Sequence, residues 1–237
     1  MGQHEERDGR GSPGLSRTLV VQAALDLIDE DGLQNLSMRA VGQQLGVGAM
    51  ALYRYVSGRE DLLEAVVASL VDGLRAQLDP DLTGTWQGYL QTLAHAVRRV
   101  AVEHAAAFPL IATRHPAAPW LRPPLRSPEL VEDLLTNLSG HGFTDEQVAD
   151  AYRAFSSFLL GHLLLESAAR GADTAPVEEP FDEGDAQIPQ RDGRRDLSQT
   201  TPTTNRLRPL LSEDRGDEEF EVGLETLLDR LEMVLSQ

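Results

Sequence analysis

The sequence predicts an all-α protein, and three observations carry that reading. Apolar residues recur at spacings of three and four along most of the chain, helix-capping residues and glycines bracket those stripes, and no stretch alternates convincingly enough for a strand. At 237 residues the chain sits between one and two domains and is long enough to bury a sizeable core.

Taken in order, residues 1–14 combine Gly, Pro, Ser and mixed charge and read as a disordered tail. The first helix carries the stripe Leu19, Val20, Ala23, Ala24, Leu27 and Ile28, with Ser16 as N-cap and Gly32 as stop. Ser37 caps a short second helix with Met38, Val41 and Leu45 inward, and Gly46 supplies the left-handed residue that ends it. A third short helix spans about 48–55. Ser57 and Glu60 then spell a capping box that opens a long helix. Its inward residues are Leu62, Leu63, Val66, Val67, Leu70, Val71 and Leu74, and it stops near Pro80.

Further helices are expected at about 85–107 and 128–140, with only a short one fitting between the prolines of 109–128. Thr144 and Gln147 form a second capping box, opening a helix to about 170 whose apolar run Phe155–Leu165 belongs at the centre of the fold. Residues 171–215 are rich in Pro, Asp, Glu, Thr and Gly and read as a flexible acidic loop. A final amphipathic helix covers about 217–235. Two seams with alternating spacings of four and three suit a helical bundle. One is Val148, Tyr152, Phe155, Leu159 and His162; the other is Phe220, Leu224, Leu227, Leu231 and Val234.

Two absences narrow the chemistry. Without cysteine there are no disulfides, thiol nucleophiles or cysteine-held metal sites. All 21 basic residues are arginine, which removes Walker A loops, pyridoxal Schiff bases and kinase-type lysines. The net charge of −17 argues against coating nucleic acid by bulk charge, yet it is uneven. Residues 171–237 carry 17 acidic and seven basic side chains, whereas residues 15–59 carry four of each. No secretory signal and no run of 18 apolar residues is visible, so a cytoplasmic protein with no membrane association is expected.

The densest constellation is residues 37–56. Two short helices joined by a glycine-containing turn make a helix-turn-helix, the unit whose second helix enters the DNA major groove. An ordinary helical corner is the competing reading, but Arg39, Tyr53, Tyr55 and Arg59 cluster at the helix ends, where a buried corner has no use for polar-tipped side chains. Gly46 to Ala51 also match GxGxxA, but a helix rather than a strand precedes them, so a dinucleotide site is not expected. Five histidines (His95, His104, His115, His141 and His162) read as core or seam residues rather than metal ligands, and neither a metal nor another cofactor is expected.

Several segments resemble the tetracycline-repressor (TetR) family of bacterial regulators. They include Gly32-Leu33, Ser37-Met38-Arg39-Ala40-Val41, Leu45-Gly46-Val47, Ala51-Leu52-Tyr53-Arg54-Tyr55-Val56 and Arg59-Glu60-Asp61-Leu62-Leu63. The match is close over about 15–74. The C-terminal half is similar to the tetracycline-repressor subgroup at Thr85-Trp86-Gln87, Gly142-Phe143-Thr144, Pro202-Thr203-Thr204 and Phe220 to Leu224.

The resemblance implies an N-terminal three-helix helix-turn-helix DNA-binding domain over 15–60 and a C-terminal helical-bundle ligand-binding and dimerisation domain over 61–237. It implies double-stranded operator DNA, a small-molecule effector and a second copy of the chain as partners, and no enzymatic activity. By position, Arg39 reaches a base, bidentate to guanine; Tyr53 and Tyr55 contact phosphates and sugars; Arg59 and Arg17 hold phosphates. Gly48, Ala49, Met50 and Ala51 face bases but offer no side-chain donor or acceptor, which leaves Arg39 with an unusual share of discrimination.

Arg75, Trp86, Val97, Phe108, Trp120, Phe155 and Phe158 are the candidate pocket residues, and the two seams are the candidate dimer interface. Ile111 stands where tetracycline repressors present a metal-binding histidine, so an apolar or aromatic effector is expected in place of a magnesium–tetracycline complex. Two other readings stay open at this point. One is a helical-bundle enzyme or carrier without a regulatory role; the other is a partner-binding module using the acidic segment.

Overall fold

The computed structural model describes residues 15–75, 78, 84–113, 115–172, 201–213 and 215–235. Among these the secondary structure is entirely helical: α1 (Arg17–Asp31), α2 (Met38–Gln44), α3 (Ala49–Leu52), α4 (Arg59–Arg75), α5 (Trp86–Glu103), α6 (Pro128–Gly140), α7 (Asp145–Ala169), α8 (Pro202–Leu211) and α9 (Gly216–Leu235). Two 3-10 turns, Leu33–Asn35 and Phe108–Leu110, complete the described elements. The expected tail 1–14, the stop near Pro80 and most of the acidic loop lie outside the described residues.

The helices begin where the sequence places capping side chains. Ser16, Ser37, Thr85 and Ser127 each accept from a backbone N–H in the first turn, and Thr144 with Gln147 closes a full capping box. Gly32 and Gly46 take φ of +85° and +68°, the left-handed values that end α1 and the α2 turn. Gly42 has a different task. A Cβ there would stand 2.9 Å from the Val47 carbonyl oxygen and 3.2 Å from the Ala49 nitrogen, so its bare backbone lets α2 close on the turn into α3.

Three local expectations are corrected. The third helix is a single turn, Ala49–Leu52, because residues 53–55 leave the helix in a turn rather than extending it. The Ser57–Glu60 box is not made: Asp61, one residue later, accepts from the Ser57 N–H (2.7 Å) and hydroxyl (3.1 Å). Glu60 is drawn away by Arg126. Inside the stretch read as a flexible acidic loop, Pro202–Leu211 is helical, and its Leu210 and Leu211 face solvent.

Helix α4 belongs to both halves of the molecule. All seven of its expected inward residues are buried, packing on α1 at one end and on α5 at the other. Its start is tied to the start of α1: Arg17 donates to the Tyr55 carbonyl (2.6 Å) and to Asp61 (2.9 Å). A second tie joins α1 to the end of α5, where Asp29 and the His104 Nδ1 are 2.6 Å apart.

Helices α5, α6, α7 and α9 form the bundle. Phe108, Phe155, Phe220 and Leu163 are fully buried there, each stabilising the fold by about 2–3 kcal/mol. Arg98 on α5 staples three helices: it forms a two-pronged pair with Glu166 of α7 (3.1 and 2.9 Å), reaches Asp217 of α9 (2.5 Å) and lies 4.9 Å over the Phe220 ring. Gly223 lets α9 approach α7 closely, since a Cβ there would meet the Phe158 ring at 2.6 Å.

The two seams read as the dimer interface are instead mostly internal. Val148, Tyr152, Phe155, Leu159, Phe220, Leu224 and Leu231 are buried within one chain, and His162 and Leu227 are half-buried. The α7 and α9 stripes meet each other and α5, so they form this chain's own core. The central run of α7 is also one-sided: Leu159, Leu160 and Leu163 are buried but Leu165 is 75% exposed.

Two tests follow from this packing. Gly223→Ala should destabilise the chain by about 1–3 kcal/mol by pushing α9 off the Phe158 ring, read as a lower midpoint in urea; an unchanged midpoint would contradict the close approach. The hydrogen bond from Arg17, with those from Ser57, holds the Asp61 carboxyl below its ordinary value of 3.8. Its contribution is therefore complete above about pH 4 and lost as pH falls through the depressed pKa. Melting curves between pH 2.5 and 7 should show the wild type's advantage over Asp61→Asn at its full size near neutrality and shrinking below pH 4.

Candidate nucleic-acid interface and core cavity

The helix-turn-helix presents its expected residues unevenly. Arg39, in the first turn of α2, is exposed, and among the described residues no hydrogen bond or ion pair engages it. Met50 on α3 is 79% exposed and Tyr53 just after it 48%. Gly48 is exposed and Ala49 half-buried, and neither carries a polar side-chain atom. Arg39, Met50, Tyr53 and Arg54, with Gln43 and Gln44 of α2, are therefore among the exposed side chains this unit offers to an outside partner. Tyr55 is half-buried against the core, and its carbonyl already serves Arg17.

Arg17 and Arg59, read from sequence as phosphate contacts, are turned onto the chain. Arg17 is held by Tyr55 and Asp61 as described. Arg59 donates from Nε to the Leu36 carbonyl (3.2 Å) and from Nη2 to the Leu33 carbonyl (3.4 Å). The Leu33 carbonyl already accepts the Leu36 N–H at 3.2 Å, whereas the Leu36 carbonyl lies beyond the short 3-10 turn, and the guanidinium supplies its donor. A phosphate reaching either arginine competes with these bonds.

Beneath this unit the bundle encloses an apolar cavity. Leu74 of α4, Val97 of α5, Ile111, Leu125, Leu134 of α6 and Phe155 of α7 form most of its wall. Its free volume is about 20 Å³, room for about one water-sized sphere. The hydroxyl of buried Ser156 supplies its polar edge. Of the seven pocket residues read from sequence, Val97 and Phe155 line this cavity.

The other five do not, each for a packing reason. Arg75 points outward and forms a two-pronged pair with Asp133 (2.6 and 2.9 Å). Trp86 packs edge-on against Phe143 at 5.6 Å, Phe108 is wholly buried in the core beside the cavity wall, Trp120 is 75% exposed, and Phe158 lies over Gly223. Ile111, in contrast, is in the wall, giving an apolar surface where the resemblance placed a metal-binding histidine. Burial raises the hydroxyls of Tyr89 and Tyr152 to about 12, so both stay neutral; Tyr152 donates to the Pro123 carbonyl at 2.8 Å, whereas the Tyr89 hydroxyl has no partner among the described residues.

One residue that sequence reasoning missed lies between cavity and reader. Arg126, 8% exposed, precedes the cap of α6 and donates from Nη2 to both Glu60 and Glu64 of α4, the latter at 2.7 Å, and from Nη1 to Thr113 (3.2 Å). His115 adds an approach to Glu64 at 3.4 Å. In the sequence Arg126 is one basic residue in a proline-rich stretch. Only the neighbouring Ser127-Pro128 helix start marks it out.

Residues 20–66 match the tetR family of bacterial regulatory proteins, and residues 79–235 match the tetracyclin repressor-like C-terminal domain. The HTH-type transcriptional repressor DrrR1 of Streptomyces coeruleorubidus is 28% identical over 98% of this chain and 83% of its own length. A solved structure described as a possible TetR family transcriptional regulator from Streptomyces coelicolor A3(2) is 31% identical, covers 92% of this chain and all of its own, and superposes with a TM-score of 0.66. The Streptomyces coelicolor TetR family protein ActR, solved in complex with actinorhodin, is 21% identical over 95% of this chain and 99% of its own, with a TM-score of 0.65. With both halves matched and the reader, bundle and cavity in place, this chain belongs to the TetR family of bacterial transcriptional regulators.

Proposed function

We propose that the chain is a homodimeric, non-catalytic repressor that leaves a palindromic operator when a small apolar or aromatic effector enters the bundle. The observation that carries this reading is the pairing of an unengaged Arg39 on the helix-turn-helix with an apolar, nearly closed cavity beneath it. The repressor name of DrrR1 and the actinorhodin complex of ActR point the same way. The acidic body of the dimer opposes DNA, so approach is governed by local contacts rather than long-range steering.

The cavity's size sets the mechanism. Drug-sized ligands occupy roughly 300–1,000 Å³, far more than this cavity holds, so an effector that enters it selects a form in which the walls have parted. The closed form is then the operator-binding form, and the effector acts through its greater affinity for the open one. No helix among the described residues is long and apolar enough to cross a membrane, and we place the protein in the cytoplasm.

The dimer surface is the outer side of α7 and α9. Ser157, Gly161 and Leu165 lie in one exposed row on α7, and Val222 and Met233 are more than half exposed on α9. Leu165→Glu should shift the protein toward monomer in sedimentation and weaken operator binding; a dimer unaffected by this charge would move the interface elsewhere.

Arg39→Ala tests DNA reading. On the sequence the protein selects, it should cost about 1–3 kcal/mol and relax preference at one base pair, while binding to random DNA falls far less. Equal losses on selected and random DNA would assign Arg39 to the backbone.

A further inference from the structure

The cavity and the reader are joined by a continuous set of contacts through Arg126. Leu125 and Ile111 form adjoining parts of the cavity wall, and the Arg126 N–H donates to the Ile111 carbonyl at 2.9 Å. The backbone of Arg126 is thus fixed to the wall, and its side chain extends from there to Glu60 and Glu64, one turn apart on the same side of α4. On the other side of that turn, Arg59 and Asp61 hold the reader through Leu33, Leu36, Ser57 and Arg17. Displacement of the cavity wall therefore moves the anchor of the helix on which the reader is mounted.

The grip has a feature that a purely structural ion pair lacks. One nitrogen, Nη2, serves both carboxylates, while the buried Nε has no partner among the described residues. A guanidinium binds a carboxylate best through two parallel N–H groups. Turning Arg126 so that Nε and Nη2 both face Glu64 keeps the number of bonds and releases Glu60. The same groups therefore support two arrangements, with Glu60 held or free, and Glu60 is 63% exposed and readily hydrated when released. Two discrete arrangements of one contact are what a packed protein needs to pass a small displacement on as a switch.

We infer that Arg126 is the positioning residue through which occupation of the apolar cavity changes the setting of the reader. The assignment rests on the regulator reading above and adds to it a named residue. The Asp29–His104 contact, at the far end of α1, is the second attachment and remains in place as the pivot.

The test uses an internal stand-in for the effector. Ser156→Phe places a ring in the cavity of the full chain, and Val97→Phe fills it from a different wall should the first variant melt. Because the chain has no cysteine, Gln34→Cys in the reader and Thr136→Cys on α6 accept spin labels without competing sites. Labelled chains diluted with unlabelled ones report the distance within one protomer. Filling the cavity should shift that distance when Arg126 is present and leave it unshifted in an Arg126→Met background. Affinity for the selected operator should fall about tenfold on filling in the first background and not in the second.

An equal shift in both backgrounds overturns the proposal, as does a filled, folded cavity that moves nothing when Arg126 is intact. The distance is read without DNA, so a protein that selects no DNA sequence fails the regulator reading alone and leaves the Arg126 test standing.

Discussion

The structure depends on one constraint: α4 is a single uninterrupted helix that joins the helix-turn-helix end and the bundle end of one continuous core. Its first turns pack on α1 and complete the reader, and Leu74 near its end forms part of the cavity wall. A helix of 17 residues is about 25 Å long and stiff on that scale, so neither end rearranges at α4 without consequence for the other. The ion pairs at its start are arranged accordingly. Asp61 faces the reader and is held by Arg17, and Glu60 and Glu64 face the body and are held by Arg126.

That arrangement also explains how a lysine-free, strongly acidic chain approaches DNA. Arg17 and Arg59 are spent within the chain on bonds to carbonyls and to Asp61, which leaves Arg39 as the unengaged cation of α2. Met50 and Tyr53 add apolar surface and a hydroxyl beside it. Arg54, exposed next to Tyr53, is a further cation that no described hydrogen bond or ion pair holds.

Much of the fold was legible in the sequence because its signals are local. Ser16, Ser37, Ser127 and Thr144 announce helix starts, Gly32 and Gly46 announce ends, and the inward stripe of α4 is buried residue for residue. The misreadings share a physical origin in long-range competition. Ser57 lost Glu60 to an arginine 66 residues away, which no cap signature encodes. The seams of α7 and α9 are regular because they build this chain's own core, and periodicity says nothing about which chain supplies the partner. Aromatic residues such as Trp86 and Phe158 were read toward a pocket but are committed to neighbours, Phe143 and Gly223, that only the tertiary packing brings close.

Selection of bound DNA from a random pool, with the full-length protein, tests the central claim most directly. The account predicts enrichment of one palindrome whose half-sites lie one helical turn, or a multiple of it, apart, as two readers on a dimeric bundle require. A pool that shows no enrichment, or an enriched site without two-fold symmetry, would contradict it.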